Sequence, residues 1–79
     1  LWYQHGIYEA HYQAGNYGRV VELAVRSLRA TGDLEESYYW RGRAYMALDK
    51  KAEARRDFGI AAKLNPNYSA AVEALAASR

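Results

Sequence analysis

Apolar and small side chains fill stretches of about 14 residues, the length of a three- to four-turn helix, with short polar breaks between them. Gly15-Asn16 is the first break, Thr31-Gly32-Asp33 the second, Asp49-Lys50 the third and Asn65-Pro66-Asn67 the fourth. Fifteen alanines favour helix, while only four valines, two isoleucines and one threonine favour strand. The pattern predicts an all-α chain with helices over 2–14, 17–30, 35–48, 51–64 and 68–78. Gly6 falls inside the first of these and costs about 1 kcal/mol there relative to alanine. A start near Ile7, with residues 1–6 extended, is therefore the alternative. Asp33, with Glu36 three residues on, reads as the N-cap of the third helix. Pro66 stops the fourth helix, and Asn67 reads as the N-cap of the fifth.

The breaks repeat. The step from Gly15 to Asp49 equals the step from Gly32 to Pro66. Helix–turn–helix units recurring at one fixed period are the pattern of stacked helical repeats, in which each hairpin buries its apolar face only against a neighbour. Residues 35–68 carry Tyr38, Arg41, Gly42, Tyr45, Ala54, Phe58, Ala61 and Pro66. Tetratricopeptide repeats place a tryptophan-like residue, leucine, a small residue, tyrosine, alanine, phenylalanine, alanine and proline at those points, so this unit resembles that family, with Arg41 the one departure. Residues 1–34 match less closely. Ile7 and Gly15-Asn16-Tyr17 fit, but Tyr8 stands where a small residue belongs, Val20 and Ala24 replace the alanine and the phenylalanine, and Gly32 replaces the proline. Residues 69–79 resemble the helix that caps such arrays.

The resemblance implies one domain over 1–79, a right-handed α-α superhelix of two stacked hairpins (1–34 and 35–68) closed by a capping helix (69–79). Gly42, Ala54 and Ala61 are the small residues that paired helices need where they touch. Tyr45 and Phe58 are expected to fill the space between hairpins, and Tyr12, Tyr17, Tyr38 and Tyr68 also read as filler. Gly15 supplies the left-handed turn residue freely, and Asp49 at some strain. Tyr8, too large for its position, is expected to splay the first two helices or shift the first.

The resemblance further implies that the first helix of each unit lines a concave groove. The first unit offers it Trp2, His5, Glu9, Tyr12 and Gln13. The second offers Glu36, Tyr39, Arg43, Met46 and Ala47, and the cap Ala70 and Glu73. The spacing 5, 9, 12–13 is a single helical stripe even without the family. Aromatics and arginine are the residue types that anchor protein interfaces. The expected function is therefore a non-catalytic protein–protein interaction module that binds a peptide or a neighbouring domain in this groove. Tyr39→Ala is expected to weaken binding and spare the fold. Family members that clamp the carboxylate of chaperone tails are a poor match, because Glu9 repels a carboxylate and Arg43 alone attracts one. The alternatives are a structural spacer or self-association segment of a larger multidomain protein, stacking through its ends, and, less favoured, a single-stranded RNA-binding helical repeat.

Composition narrows the function rather than the fold. The chain has 79 residues, net charge +2 and no cysteine. That allows one small domain without disulfide staples. His5 and His11 are six residues apart and point to different sides of one helix, so neither a metal site nor a catalytic pair is expected, nor any cofactor. Lys50, Lys51, Arg55 and Arg56 cluster at the start of the fourth helix, but Asp49, Glu53 and Asp57 interleave them. They read as a solvated face with local ion pairs, and net +2 is mild for a phosphate-binding domain. No apolar run approaches the roughly 20 residues of a membrane span. The first residues, Leu1-Trp2-Tyr3, read as a cut from something longer. The segments 34–48 and 58–75 also resemble terminal repeat regions appended to other domains of large bacterial proteins.

Overall fold

The computed structural model describes residues 2–31 and 34–78, with side chains described for 7–30 and 34–78. The helices are α1 (Trp2–Gln13), α2 (Tyr17–Thr31), α3 (Glu35–Ala47), α4 (Lys51–Leu64) and α5 (Ser69–Ala77). No strand occurs among the described residues. Gly6 lies within α1, so the helix does not wait for Ile7.

The turns inside the two hairpins, at Gly15 and at Asp49, are built alike. At the end of α1 the Asn16 amide donates to the His11 carbonyl (2.8 Å) and the Gly15 amide to that of Tyr12 (3.0 Å). At the end of α3 the Lys50 amide donates to Tyr45 (2.8 Å) and the Asp49 amide to Met46 (3.1 Å). This is the Schellman pattern, which satisfies the last helical carbonyls by passing one residue through the left-handed region. Gly15 takes φ 81° and Asp49 φ 64°. The expected caps differ. Leu34, not Asp33, is the N-cap of α3 and makes no side-chain cap bond. Asp33 itself lies outside the described residues. Tyr68, not Asn67, is the N-cap of α5. Asn65 shapes that turn instead: its side-chain oxygen accepts from the Asn67 amide (3.1 Å) and its carbonyl from the Tyr68 amide (3.0 Å). An Asx turn of this kind competes with capping by the following asparagine.

Packing explains why the two hairpins tolerate different sequences. In the second, Gly42 on α3 faces α4. A Cβ added there would stand 2.7 Å from the Phe58 ring and 3.2 Å from the Ala54 carbonyl oxygen. Phe58, Ala54 and Ala61 are buried. In the first hairpin the volumes are exchanged. Tyr8 takes the repeat position that Gly42 holds in the second and is only 4% exposed. Ala24 takes the position of Phe58 and is fully buried. Both belong to one core cluster with Val20, Trp40 and Ala44. The large ring comes from one helix or from the other, and the facing residue is small in each case. Tyr8 is accommodated by this exchange and by its hydroxyl, which hydrogen-bonds the buried Ser37 Oγ at 3.0 Å. Ser37 in turn donates to Ser27 Oγ at 3.3 Å, so a polar thread joins α1, α3 and α2.

Arg41, the departure from the family pattern, forms the main polar link within the second hairpin. Its Nε donates to Asp57 Oδ2 at 2.8 Å and its Nη2 to Oδ1 at 2.9 Å. The Asp57 side chain is 3% exposed and that of Arg41 20%. Asp57 is thus a buried partner of α3, not a surface charge balancing its lysine and arginine neighbours. The paired carboxylate holds the Arg41 guanidinium above its usual pKa, outweighing the opposing effect of burial. Tyr38 and Tyr45 flank the guanidinium, at 5.5 and 5.9 Å from their ring centres. Tyr45 is therefore a half-buried platform for Arg41 rather than core filler of the Phe58 kind.

Two double-mutant measurements follow from this packing. Gly42→Leu should destabilise by about 1–3 kcal/mol through overpacking and Phe58→Ala by about 3–5 kcal/mol through the cavity it leaves. The pair should cost less than the sum in denaturant unfolding, because the cavity receives the leucine; strict additivity would show that the two sites do not share volume. Asp57→Ala should cost about 3 kcal/mol by stranding a half-buried cation. Arg41→Leu combined with Asp57→Ala should recover most of that loss, and a double variant no more stable than Asp57→Ala would contradict the pairing.

Candidate functional site

Helix α3 has two working stripes. Ser37, Trp40 and Ala44 turn inward and are buried. Tyr39, Arg43 and Met46, spaced i, i+4 and i+7, share the neighbouring stripe. They line one side of a cleft of about 340 Å³ completed by Tyr12 of α1, Phe58 of α4, and Ala74 and Ala77 of α5.

The rings around the cleft form a continuous series. Tyr12 meets Tyr17 at 5.3 Å and Trp40 at 5.8 Å, both edge to face. Trp40 meets Tyr39 at 5.5 Å, and Tyr39 continues to Phe58 at 6.0 Å and Tyr68 at 5.3 Å. These are the separations at which aromatic pairs attract. The Arg43 guanidinium lies on this series, 4.3 Å from the Tyr12 ring centre, 4.9 Å from Trp40 and 5.8 Å from Tyr39. Distances within about 6 Å allow cation–π attraction.

Of the residues expected in the groove, Tyr12, Tyr39, Arg43 and Met46 meet in this cleft. Glu36 borders a separate depression of about 270 Å³ with Glu35, Asn65 and Tyr68. Glu9, Gln13 and Ala47 are exposed and do not line the cleft. On α5 the lining residues are Ala74 and Ala77, one helical turn beyond Ala70 and Glu73. The cleft lies beside the C-terminal half of α3, so α5 meets it with its own later turn. The side chains of Trp2 and His5 lie outside the described residues. Tyr39 is tied to three rings and packs on the core cluster, so its truncation removes folding contacts as well as a half-buried ring of the cleft. Trp40, not singled out in the sequence, is the ring that joins core to cleft. Its spacing to Ser37 and Ala44, i−3 and i+4, was the available signal. The basic group on α4 also differs from expectation. Lys50, Lys51, Arg55 and Arg56 are exposed and make no ion pair among the described residues, and Asp57 pairs with Arg41 instead.

The lining offers rings, a thioether, methyl groups and one guanidinium. That suits contact rather than proton transfer or nucleophilic attack. No group of three metal-ligating side chains occurs among the described residues, and none of the described helices is long and apolar enough to cross a membrane.

Burial of the Tyr68 phenol, reinforced by the charge of Glu36 and by Tyr39 and Glu35, holds its pKa well above the ordinary tyrosine value. Ionisation is thus harder in the folded chain than in the unfolded one. Its contribution to stability is complete below about pH 10 and is lost as pH rises towards the folded-state pKa. In an alkaline titration followed by phenolate absorbance, Tyr68 should ionise well above the ordinary tyrosine range. Tyr68→Phe should remove that late step and flatten the alkaline loss of stability. Identical curves for the two proteins would place the phenol in solvent.

Comparison with known proteins bears on the second hairpin. Residues 35–68 match the family model of the tetratricopeptide repeat. No curated protein and no solved structure matches the chain. The matched segment begins with the first residue of α3 and ends at the N-cap of α5, taking in the α3–α4 pair with its Gly42–Phe58 contact. Residues 35–68 are thus similar to a tetratricopeptide repeat, and the five helices of the chain fit a tetratricopeptide-like helical repeat.

Proposed function

We propose that this chain is a non-catalytic protein–protein interaction module and that the cleft between α1, α3, α4 and α5 receives the partner, as an extended peptide or a segment of a neighbouring domain. Tetratricopeptide repeats generally act through protein partners, and the repeat at 35–68 supports the coarser statement. The observation that carries the finer one is the cleft itself. Tyr12, Tyr39 and Met46 present apolar surface beside Arg43, on helices held rigidly by the core beneath. Preorganised aromatic and arginine anchors are what interface hot spots are made of. A polyanion is the second reading, favoured by the exposed α4 cations, which lack ion pairs among the described residues.

The test is affinity capture from lysate of the source organism, with and without nuclease, using the wild-type chain and the variant Arg43→Glu with Ala77→Trp. Ala77 is exposed on α5, so the tryptophan should fill the cleft without entering the core. A protein captured by the wild type, lost with the variant, indifferent to nuclease and crosslinked to cleft residues is the expected result. Capture that ignores the variant would remove the cleft from the account, and capture abolished by nuclease would favour the polyanion reading.

A further inference from the structure

Resting on the cleft reading above, we infer that the preferred ligand carries an acidic side chain, aspartate or glutamate, within a peptide and next to an aliphatic one. Arg43 is the one charged residue among the described residues lining the cleft. Its guanidinium is held by rings, at 4.3 Å from Tyr12 and 4.9 Å from Trp40, and among the described residues it has no carboxylate partner. Arg41, two residues earlier, shows the contrast, since both edges of its fork are taken by Asp57. Rings bind a guanidinium through its faces. They leave in-plane N–H donors that match the two oxygens of a planar carboxylate. The rings also fix the fork, so little side-chain freedom is lost when a carboxylate arrives.

The position of Arg43 selects the source of that carboxylate. It sits between Tyr39 and Met46 on the α3 stripe, with a cleft-lining residue one turn before it and another one turn after it. A chain passing through presents an internal side chain there, whereas a chain terminus would leave half the lining uncovered. Met46, Ala74 and Ala77 add apolar side chains to the same lining. Methionine and alanine methyls fit a branched aliphatic side chain without asking for a polar partner.

The probe is a displayed library of short random peptides with both ends fused, so that no free terminal carboxylate is present. It is panned on the folded wild-type chain, on Arg43→Gln and on Ala77→Trp, each checked for unchanged thermal unfolding. The expected outcome is enrichment of sequences with an acidic residue beside Leu, Ile or Val. A capped peptide of that class should bind about tenfold more weakly when its acid is replaced by the amide, as loss of a charge-assisted hydrogen bond implies. Its binding should weaken with added salt, and Arg43→Gln should no longer distinguish acid from amide. Enriched peptides that lack an acidic residue but are lost on Ala77→Trp would overturn this inference and leave the cleft reading standing. If no enrichment is sensitive to Ala77→Trp, the cleft reading and this inference fall together.

Discussion

The close approach of α3 and α4 at Gly42 is the constraint on which the rest depends. With no Cβ on Gly42, the Phe58 ring lies against the α3 backbone, and a methyl group there would already collide with it. That contact holds the two helices of the hairpin together, and Phe58 then presents another side to Tyr39 and to the cleft. One ring therefore closes the hairpin and floors the site. Small residues at crossing points are what permit such approaches. The first hairpin reaches a similar result by exchanging the partners, with Tyr8 supplying the ring and Ala24 the space.

Polar groups in the interior are few and matched. The Tyr8 hydroxyl, Ser37 and Ser27 connect three helices. Arg41 and Asp57 connect α3 to α4 with two parallel hydrogen bonds. Among the described residues no buried side-chain nitrogen or oxygen lacks a partner. In both places the polar pair stands where the repeat pattern calls for something else, a small residue or a leucine. A buried pair of this kind is weak evidence for extra stability but strong evidence that neither member can change alone.

The cleft uses the same aromatic material as the core. Trp40 is buried, Tyr12 and Tyr39 are half-buried, and Arg43 lies across all three. Cleft lining and folding core are thus a single packed body, which makes the tyrosines of the cleft poor targets for clean mutagenesis. Residues that touch the cleft from α5, such as Ala77, separate the two roles better.

The sequence by itself determined the helices and their pairing. Gly15, Asp49 and Pro66 interrupt it at the spacing of helix–turn–helix units, and Gly42, Ala54, Phe58 and Ala61 announce the second hairpin by size alone. These are local or strictly periodic signals, and a linear text displays them. Tyr12, Tyr39, Arg43 and Met46 were legible as a stripe for the same reason. The tertiary structure alone decided what that stripe faces. It brought α5 to the cleft one turn later than expected, turned Asp57 inward to Arg41, and seated Tyr8 in one core cluster with Ala24. Each of these depends on two residues 16 or more positions apart meeting across a helix interface. Side-chain volume and charge are compensated in space, and the order of residues along the chain does not record which distant neighbour supplies the compensation.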